Sequence, residues 1–360
     1  MLRFRLRMLL LLGAFLPALI GVVNAQSRNL DIYWIDVEGG AATLIVSPSG
    51  ESLLYDAGYA VDDRDAKRIY AATQQAGLKK IDSFVLSHYH GDHVGGLPAL
   101  AKMIPIDRFF DHGDAVEEVD RERLEIYKKV AGSKRTILKA GDVIPFKGVQ
   151  AQVVASNTMF ITKAVKGGGG PNPLCASAEQ KAPAAPENGR MVGTLFTFGK
   201  FTFLDLADLD WANEMALTCP VNKLGTVTIW QTDRHGNLDG AGAPAFLGAI
   251  KPQVIVANNG PRKGLGQLDQ NARSITNPGV RVTSPSYSYE KIAKLPGVED
   301  IWQGHVALAT PDHNTSRDRI ANFEETAECK GNWMKASVAP DGKFTITNGR
   351  NGFSKTYTAR

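Results

Sequence analysis

Residues 88–93, with the sequence His-Tyr-His-Gly-Asp-His, constrain the fold more than any other part of this 360-residue chain. Four side chains that can bind a metal ion, His88, His90, Asp92 and His93, fall within this segment, and the sequence has only seven histidines. Repulsion and desolvation would oppose such clustering if there were no cation to hold. The segment therefore predicts a metal site. The alternative is a polar surface loop that happens to contain histidines.

The surroundings and the ligand types of this cluster indicate a catalytic site. The apolar segment 81–87 predicts a buried strand, and segment 94–103 predicts a turn followed by a helix. The cluster is thus expected at the carboxyl end of a strand, which is the sheet edge where α/β proteins bind ligands. Nitrogen and oxygen ligands without cysteine suit catalytic zinc first, and manganese or iron next.

The first 25 residues have the pattern of a secretory signal peptide, with arginines before an apolar run. The run extends from Met8 to Val23, and small residues at Val23 and Ala25 favour cleavage after Ala25. We therefore expect a secreted or periplasmic protein without a membrane segment after cleavage. An uncleaved membrane anchor is the alternative, although a run of about 16 residues is short for a membrane span.

The net charge gives no sign of a nucleic-acid-binding protein. The sequence has 41 basic and 37 acidic residues, a net charge of +4. Cleavage removes three arginines, so 38 basic residues would remain and the net charge would fall to about +1. Tight binding to nucleic acid is not expected from such a balance. The sequence does not indicate an oligomeric state.

The pattern along the chain is two β-rich halves, each with helices, and it predicts an α/β fold. After cleavage the length suffices for one large α/β domain with a small appendage, or for two modest domains. The clearest expected elements are strands within 30–37, 42–47 and 52–58, helices over 62–78 and 117–130, a hairpin over 191–206 and a strand over 254–257. A second hairpin is expected over 333–347, because Asp-Gly at 341–342 separates two alternating runs.

Residues 165–190 are rich in Gly, Pro and Ala and predict a long flexible loop insertion. The segment is either a disordered insertion or a lid beside the site. Three cysteines are present, and an oxidising compartment permits one disulfide. We prefer the pair Cys175–Cys219, which would tie the loop to the domain. The alternative is that Cys175, Cys219 and Cys329 are all unpaired.

The motif of residues 88–93, together with Asp56 and Gly58 after an earlier strand, resembles the metallo-β-lactamase superfamily. The resemblance implies a four-layer αβ/βα sandwich. We expect this hydrolase domain to cover residues 26–325 and to be followed by a C-terminal β-hairpin extension over residues 326–360.

The resemblance continues at the ends of two strands in the second half. Segment 203–209 is similar to the family strand that ends in a metal-bridging aspartate, and Asp208 is the candidate. Segment 228–236 resembles the strand ending in His-His-Gly in the branch that includes the hydrolase domain of DNA-uptake (competence) proteins and phosphorylcholine esterases. His235 matches the second histidine of that motif, and Arg234 stands in place of the first.

The resemblance implies two metal ions per chain, expected to be Zn²⁺, with Mn²⁺ or Fe²⁺ as alternatives. The implied ligands are His88, His90, Asp92, His93, Asp208 and His235. The first two would hold one ion, Asp208 would bridge, and the remaining three would hold the other ion. Asn188 lies where other branches supply a third histidine, so the first ion is expected to lack a ligand. Asp56 is expected to orient a ligand histidine.

Catalytic roles are expected for Asp92 and Arg234. Arg234 would stabilise charge on a phosphoryl oxygen, and the alternative is a solvated surface cation. Two ligand assignments have alternatives as well. Asp208 could instead cap the helix that follows it, with Asp205 as the bridge, and His235 could be a simple turn histidine.

The function expected from these residues is that of an exported binuclear hydrolase that activates water and acts on a small-molecule or phosphoester substrate. Phosphoester or phosphodiester cleavage is preferred because of the resemblance to the His-Gly branch. The alternatives are hydrolysis of a β-lactam or lactone, and a non-catalytic metal-binding protein of the same fold.

Overall fold

The computed structural model describes residues 29–182, 185–269, 284–285, 288–325 and 327–360. The predicted signal peptide lies outside these residues. Within them the strands are β1 (Leu30–Trp34), β2 (Thr43–Val46), β3 (Ser52–Tyr55), β4 (Ser83–Val85), β5 (Phe109–Asp111), β6 (Arg135–Ile137), β7 (Val143–Ile144), β8 (Gln150–Ser156), β9 (Met159–Phe160), β10 (Gly170–Pro171), β11 (Gly193–Phe198), β12 (Phe201–Asp205), β13 (Val221–Asn222), β14 (Ile229–Gln231), β15 (Val254–Ala257), β16 (Leu268–Asp269), β17 (Ser284–Pro285), β18 (Asp300–His305), β19 (Ile320–Asn322), β20 (Met334–Val338), β21 (Lys343–Asn348) and β22 (Ser354–Thr358).

The α-helices of the same residues are α1 (Arg64–Gln75), α2 (Gly91–Val94), α3 (Leu97–Met103), α4 (Arg121–Ala131), α5 (Trp211–Thr218), α6 (Pro244–Ile250) and α7 (Ser288–Ala293). Among the described residues, none of these helices is long and apolar enough to cross a membrane.

Among the described residues, eighteen of the strands form two mixed sheets of nine strands each, and β10 with β13 and β16 with β17 form two separate two-stranded sheets. The first has the order β22–β21–β20–β1–β2–β3–β4–β5–β6. The second has the order β19–β18–β15–β14–β12–β11–β8–β7, and β9 pairs with β8. Strands β3 to β6 are parallel in the first sheet, and β12, β14, β15, β18 and β19 are parallel in the second.

The two sheets pack face to face, with helices on both outer faces. Trp34 of β1 and Phe203 of β12 belong to one buried cluster between the sheets, with ring centroids 5.6 Å apart. Ile69 of α1 and Leu124 of α4 belong to the cluster on the outer face of the first sheet. Phe246 of α6 belongs to the corresponding cluster on the second sheet. This order of layers confirms the predicted four-layer αβ/βα sandwich.

Parallel strands bring the residues of interest to one edge, because parallel strands end at the same side of a sheet. In the first sheet, β3 is followed by Asp56 and β4 by the segment that begins with Ser87 and His88. In the second sheet, β12 is followed by Asp208 and β14 by His235. The fold thus joins residues that are far apart in sequence.

The C-terminal hairpin is present as β20 and β21, but it does not stand apart from the domain. Strand β20 pairs with β1 over the full length of β1, from Leu30 to Trp34. A further strand, β22, pairs with β21. The segment therefore completes the first sheet as three strands, where the sequence indicated only a two-stranded extension.

The Gly/Pro-rich segment after residue 165 packs against the second half of the chain where it is described. Strand β10 pairs with β13, and the buried Asn172 side chain donates to Thr218 O at 3.1 Å and to Ala245 O at 3.0 Å. Cys175 and Cys219 form a disulfide, as predicted, and Cys329 is a buried free thiol. These contacts favour an ordered loop over a disordered insertion for this part.

Candidate metal centre

The single helical turn α2 shapes the ligands from the first half. His90 precedes the turn in extended backbone, with φ −59° and ψ 147°, while Asp92 and His93 lie on it. The backbone N–H of His93 donates to His90 O at 3.0 Å. Ala57 N donates to His93 O at 2.7 Å, which ties the turn to the end of β3. The positions of Asp92 and His93 are therefore fixed by main-chain bonds.

Asp92, His93, Asp208 and His235 bring four donor atoms together. His93 Nε2 lies 3.5 Å from Asp92 Oδ2 and 3.4 Å from Asp208 Oδ1. His235 Nε2 lies 3.1 Å from Asp92 Oδ2 and 3.2 Å from Asp208 Oδ1. Ligands at about 2.0–2.1 Å from a tetrahedral ion are about 3.3 Å apart. The four atoms are therefore spaced as ligands of one divalent ion.

Three of these donor atoms have no hydrogen-bond partner among the described residues. His93 Nε2, Asp208 Oδ1 and His235 Nε2 are all buried and unpaired. Each such atom costs about 1–3 kcal/mol, and unpaired buried atoms are rare. Three of them converging from both halves of the chain are explained by a cation that they share. The residues present thus fit a metal ion.

Asp56 holds His93 in the orientation that metal binding requires. Asp56 Oδ2 lies 2.7 Å from His93 Nδ1, and Ser87 donates to the same carboxylate through its backbone N–H at 2.7 Å and its hydroxyl at 2.6 Å. A proton held on Nδ1 leaves the lone pair on Nε2, which faces the other donors. This matches the role expected for Asp56.

Charges within the donor group favour a cation. Burial opposes ionisation of Asp208, but the His235 and His93 rings outweigh burial and hold the pKa of Asp208 well below its usual value. Burial also opposes a charge on His93, yet Asp92, Asp56 and Asp208 raise the pKa of His93 well above its usual value. A proton and a divalent ion therefore compete for the His93 lone pair.

His88 and His90 form a second donor group with Asp208. His88 Nε2 lies 2.9 Å from His90 Nδ1. Burial, and then the neighbouring His93 ring, lower the pKa of His88 well below its usual value, so the ring is neutral and keeps a lone pair for an ion. The other nitrogen of His90 lies 3.7 Å from a buried oxygen of Asp120. This group has three donors, one fewer than the first.

Asn188, expected in place of a third histidine, is buried on the short turn Asn188–Arg190. Its side-chain oxygen has no hydrogen-bond partner among the described residues. The segment runs beside the ligand loop, because Tyr89 N donates to Glu187 Oε1 at 3.1 Å and Val192 N donates to Ser87 O at 2.9 Å. An amide oxygen suits zinc less well than imidazole does.

The backbone that carries His235 lies in the left-handed region, with φ 57°. Arg234 N donates to Ala207 O at 2.9 Å, which ties this turn to the end of β12. Gly264 packs against it so closely that a Cβ there would overlap the His235 carbonyl oxygen. Only glycine fits this approach, so the loop after β15 fixes His235. The guanidinium of Arg234 lies against Gly240, and its catalytic role stays a prediction.

Asp210, and not Asp208, caps helix α5. Asp210 Oδ1 accepts a hydrogen bond from Asn213 N at 3.0 Å, so the helix-cap alternative for Asp208 fails. Asp205, the alternative bridging aspartate, forms a hydrogen bond outside the donor group. Its Oδ1 accepts from Ala207 N at 3.0 Å, and burial raises its pKa to about 7. Among the two aspartates, Asp208 is therefore the one that reaches the donor group.

Two further residues touch the site without any signal in the local sequence. Lys263, on the loop after β15, places its ammonium group against Asp92 Oδ2 and donates to the hydroxyl of Tyr59 at 3.0 Å. Burial favours the neutral amine, but Asp92 and Asp208 outweigh burial and raise the pKa of Lys263. Lys263 and Tyr59 can be recognised only from the tertiary structure, in which the loop after β15 lies against the first half of the chain.

Another group of buried donors lies near the same edge. Cys329 Sγ is 3.7 Å from Asp36 Oδ2 and 4.0 Å from His305 Nε2. Arg68 already pairs with this carboxylate, at 3.4 Å, and donates to the Cys329 carbonyl oxygen at 2.8 Å. A guanidinium in this position opposes a second cation. The group is better explained as a satisfied polar cluster.

Comparison with known proteins finds sequence similarity in the first half of the chain. Residues 35–170 match the sequence profile described as the Metallo-beta-lactamase superfamily. A hydroxyacylglutathione hydrolase from Synechococcus sp. is 31% identical over 94 residues, which are 26% of this chain and 31% of that protein. The chain thus matches about a third of the length of this curated relative.

Solved structures similar to the chain include two proteins of low sequence identity. A protein from Parabacteroides distasonis, described as a metal-dependent hydrolase, is 15% identical, with a TM-score of 0.41 over 77% of this chain and 93% of its own. A metallo-beta-lactamase fold protein from Bacillus subtilis is 12% identical, with a TM-score of 0.38 over 63% of this chain and 85% of its own. The sequence match over residues 35–170 makes this part of the chain similar to the metallo-β-lactamase superfamily.

Proposed function

We propose that this chain is an exported zinc-dependent hydrolase that cleaves phosphoester or phosphodiester bonds. The observation that carries this proposal is a set of four donor atoms from both halves of the chain, in which each histidine nitrogen lies 3.1–3.5 Å from both carboxylate oxygens. Zinc is preferred because the donors are imidazole and carboxylate groups at tetrahedral spacing. The Cys175–Cys219 disulfide supports an oxidising compartment, and so supports export.

The residues of the centre would have distinct roles. Asp92, His93, Asp208 and His235 would hold one ion, and His88 and His90 would hold a second ion with Asp208 shared. When bound, the ions lower the pKa of a water molecule and polarise the substrate oxygen. Asp56 keeps the His93 lone pair directed at the site. A small-molecule substrate with a phosphoester is favoured over a β-lactam by the His-Gly sequence at 235–236.

A second candidate is cleavage of a thioester, and its support is the match to a hydroxyacylglutathione hydrolase. Both candidates need a metal-activated water and differ in the group attacked. A substrate panel therefore decides between them.

The test is a zinc-loaded activity panel on the mature chain. It compares a bis-aryl phosphodiester, an aryl phosphomonoester, a hydroxyacylglutathione, a chromogenic β-lactam and a lactone. The control variants are Asp208→Asn, which should lose activity, and Asp300→Asn, a buried aspartate on β18 paired with Lys355, which should keep it. Turnover of only the β-lactam or the lactone would show the phosphoester preference to be wrong. A zinc content below about one ion per chain after loading would refute the proposed metal centre.

A further inference from the structure

Lys263 and Tyr59 place a cation and a hydroxyl group at the side of the metal centre. The ammonium nitrogen of Lys263 contacts Asp92 Oδ2, and it donates to the hydroxyl of Tyr59 at 3.0 Å. The Lys263 side chain is 36% exposed, whereas that of Asp92 is 12% exposed. The Lys263 side chain is therefore partly accessible to solvent beside the donor atoms.

The backbone around Lys263 holds this arrangement in place. Gly39 has φ +91°, and a Cβ built on it would lie 3.0 Å from the Lys263 Cβ. Gly260 N donates to Lys263 O at 3.1 Å, which closes the turn that carries the lysine. The next residue, Gly264, packs directly on the carbonyl of His235. The lysine is thus positioned against both halves of the centre.

The hydrogen-bonding capacity of the pair is not exhausted by the contacts present. A lysine ammonium has three N–H donors, of which Asp92 and Tyr59 take one each. The Tyr59 hydroxyl accepts from Lys263 and keeps its own O–H to donate. Among the described residues, the third N–H and this O–H have no partner, so both could donate to one incoming oxygen atom, and the positive charge favours an anionic one.

We infer that Lys263 and Tyr59 form an anion-binding subsite beside the metal centre, and that it recognises a phosphoryl oxygen of the substrate. This inference rests on the proposed hydrolase function and specifies its substrate class as anionic. Two divalent ions and an ammonium group would exceed the negative charge of Asp92 and Asp208, and an anionic substrate group balances the excess.

The competing explanation is that Lys263 only neutralises Asp92. In that case its removal would change metal affinity or stability, but it would not change how the chain discriminates between charged and neutral ligands. The two explanations therefore separate in a binding measurement that does not depend on turnover.

The test measures the affinity of inorganic phosphate for the zinc-loaded chain by isothermal titration calorimetry. The variants are Lys263→Met, Lys263→Arg and Tyr59→Phe. The matched control is Lys335→Met, because Lys335 is a half-buried lysine paired with Asp31 at 2.8 Å on strand β20. Zinc content is measured for every variant, so that a loss of metal is not mistaken for a loss of the subsite.

We expect Lys263→Met to weaken phosphate binding by about tenfold or more, Tyr59→Phe by about threefold, and Lys335→Met by less than about twofold. Lys263→Arg keeps the charge and should recover most of the affinity. Phosphate affinity within about twofold of wild type in both Lys263→Met and Tyr59→Phe would overturn the inference. So would a zinc-loaded wild-type chain that does not bind phosphate.

A kinetic comparison extends the test to substrates. The ratio of kcat/KM for bis(4-nitrophenyl) phosphate to that for the neutral ester 4-nitrophenyl acetate should fall at least about tenfold in Lys263→Met. An unchanged ratio would contradict the inference. If the wild-type chain hydrolyses no ester but binds phosphate through Lys263, the proposed hydrolysis fails and the subsite stands, so the two failures are distinguishable.

Discussion

Replacing Asp56 with asparagine should weaken zinc binding although Asp56 is not itself a donor. The carboxylate of Asp56 accepts three hydrogen bonds, from Ser87 N at 2.7 Å, from Ser87 Oγ at 2.6 Å and from His93 Nδ1 at 2.7 Å. Ser87 N uses Oδ1, and the other two groups use Oδ2. Both oxygens of the carboxylate are therefore committed to donors.

Asparagine has only one acceptor oxygen, so its amide group must face one of these donors. If the NH₂ group faces Ser87 N, a buried N–H is left unpaired, at a cost of about 1–3 kcal/mol. If it faces His93 Nδ1, the imidazole proton must move to Nε2, which is the atom that lies among the metal donors. The second arrangement blocks the lone pair that an ion needs.

The expected result for Asp56→Asn is a 10- to 100-fold loss of zinc affinity, about 1.4–2.7 kcal/mol, which is typical when a group that orients a ligand histidine is removed. Zinc affinity is measured by competition with a chromophoric chelator at pH 7.5. Asp300→Asn is the control, because Asp300 is also a buried aspartate, and it pairs with Lys355 and Tyr357 away from the site. If Asp56→Asn binds zinc as tightly as wild type, the orienting role of Asp56 is refuted.

Three further perturbations give distinct results. Burial raises the pKa of Asp36 to about 6, so its stabilising contribution is present below its usual pKa of 3.8 and is lost as pH rises through 6. In Asp36→Asn, the decrease in the free energy of unfolding between pH 4 and pH 8 should be smaller than in wild type by up to about 3 kcal/mol, as measured by urea unfolding. Parallel pH profiles of the two proteins would contradict this expectation. Gly264→Ala should displace His235 and lower both stability and zinc affinity. Gly352→Ala, also at positive φ (+72°) but with open space around it, should cost only about 1 kcal/mol, so equal effects in the two variants would be evidence against the close approach. Cys175→Ser opens a disulfide of sequence separation 44 and should lower the free energy of unfolding by about 4 kcal/mol, and a change below about 1 kcal/mol would rule out the loop-closure estimate.

The sequence predicts most of the centre because its donors follow short apolar strands. Residues 88–93 carry four donors in one segment, and their place after a strand was readable from hydrophobic pattern alone. Asp208 and His235 were located through the resemblance of segments 203–209 and 228–236 to two strands of the family. The local sequence shows that each follows a strand, but the resemblance was needed to select these residues.

Tyr59 and Lys263 could not be found in this way. Lys263 occurs in a Pro-Arg-Lys-Gly turn that has the composition of an ordinary charged loop. Its role depends on the pairing of β15 with β14 in one sheet and on the approach of that loop to the end of β3 in the other. Contacts between two sheets depend on tertiary packing, which local periodicity does not encode.

The C-terminal region shows the same limit for the fold. The strand β22 has a single fully buried apolar side chain, Tyr357, because it lies at the edge of the first sheet. One buried position gives no alternation to detect. The pairing of β20 with β1 is equally invisible locally, since it joins strands about 300 residues apart in sequence. The hairpin was therefore predictable, and its place in the sheet was not.

The two donor groups of the centre differ in a way that follows from this fold. One group takes donors from both sheets and reaches four, with unpaired buried atoms on His93, Asp208 and His235. The other takes His88 and His90 from a single loop and shares Asp208, and the buried Asn188, on the segment beside that loop, carries an amide rather than an imidazole. Affinity for zinc rises with the number of nitrogen and anionic ligands. If the chain binds two ions, we therefore expect the four-donor group to fill first and an ion at His88 and His90 to exchange more readily.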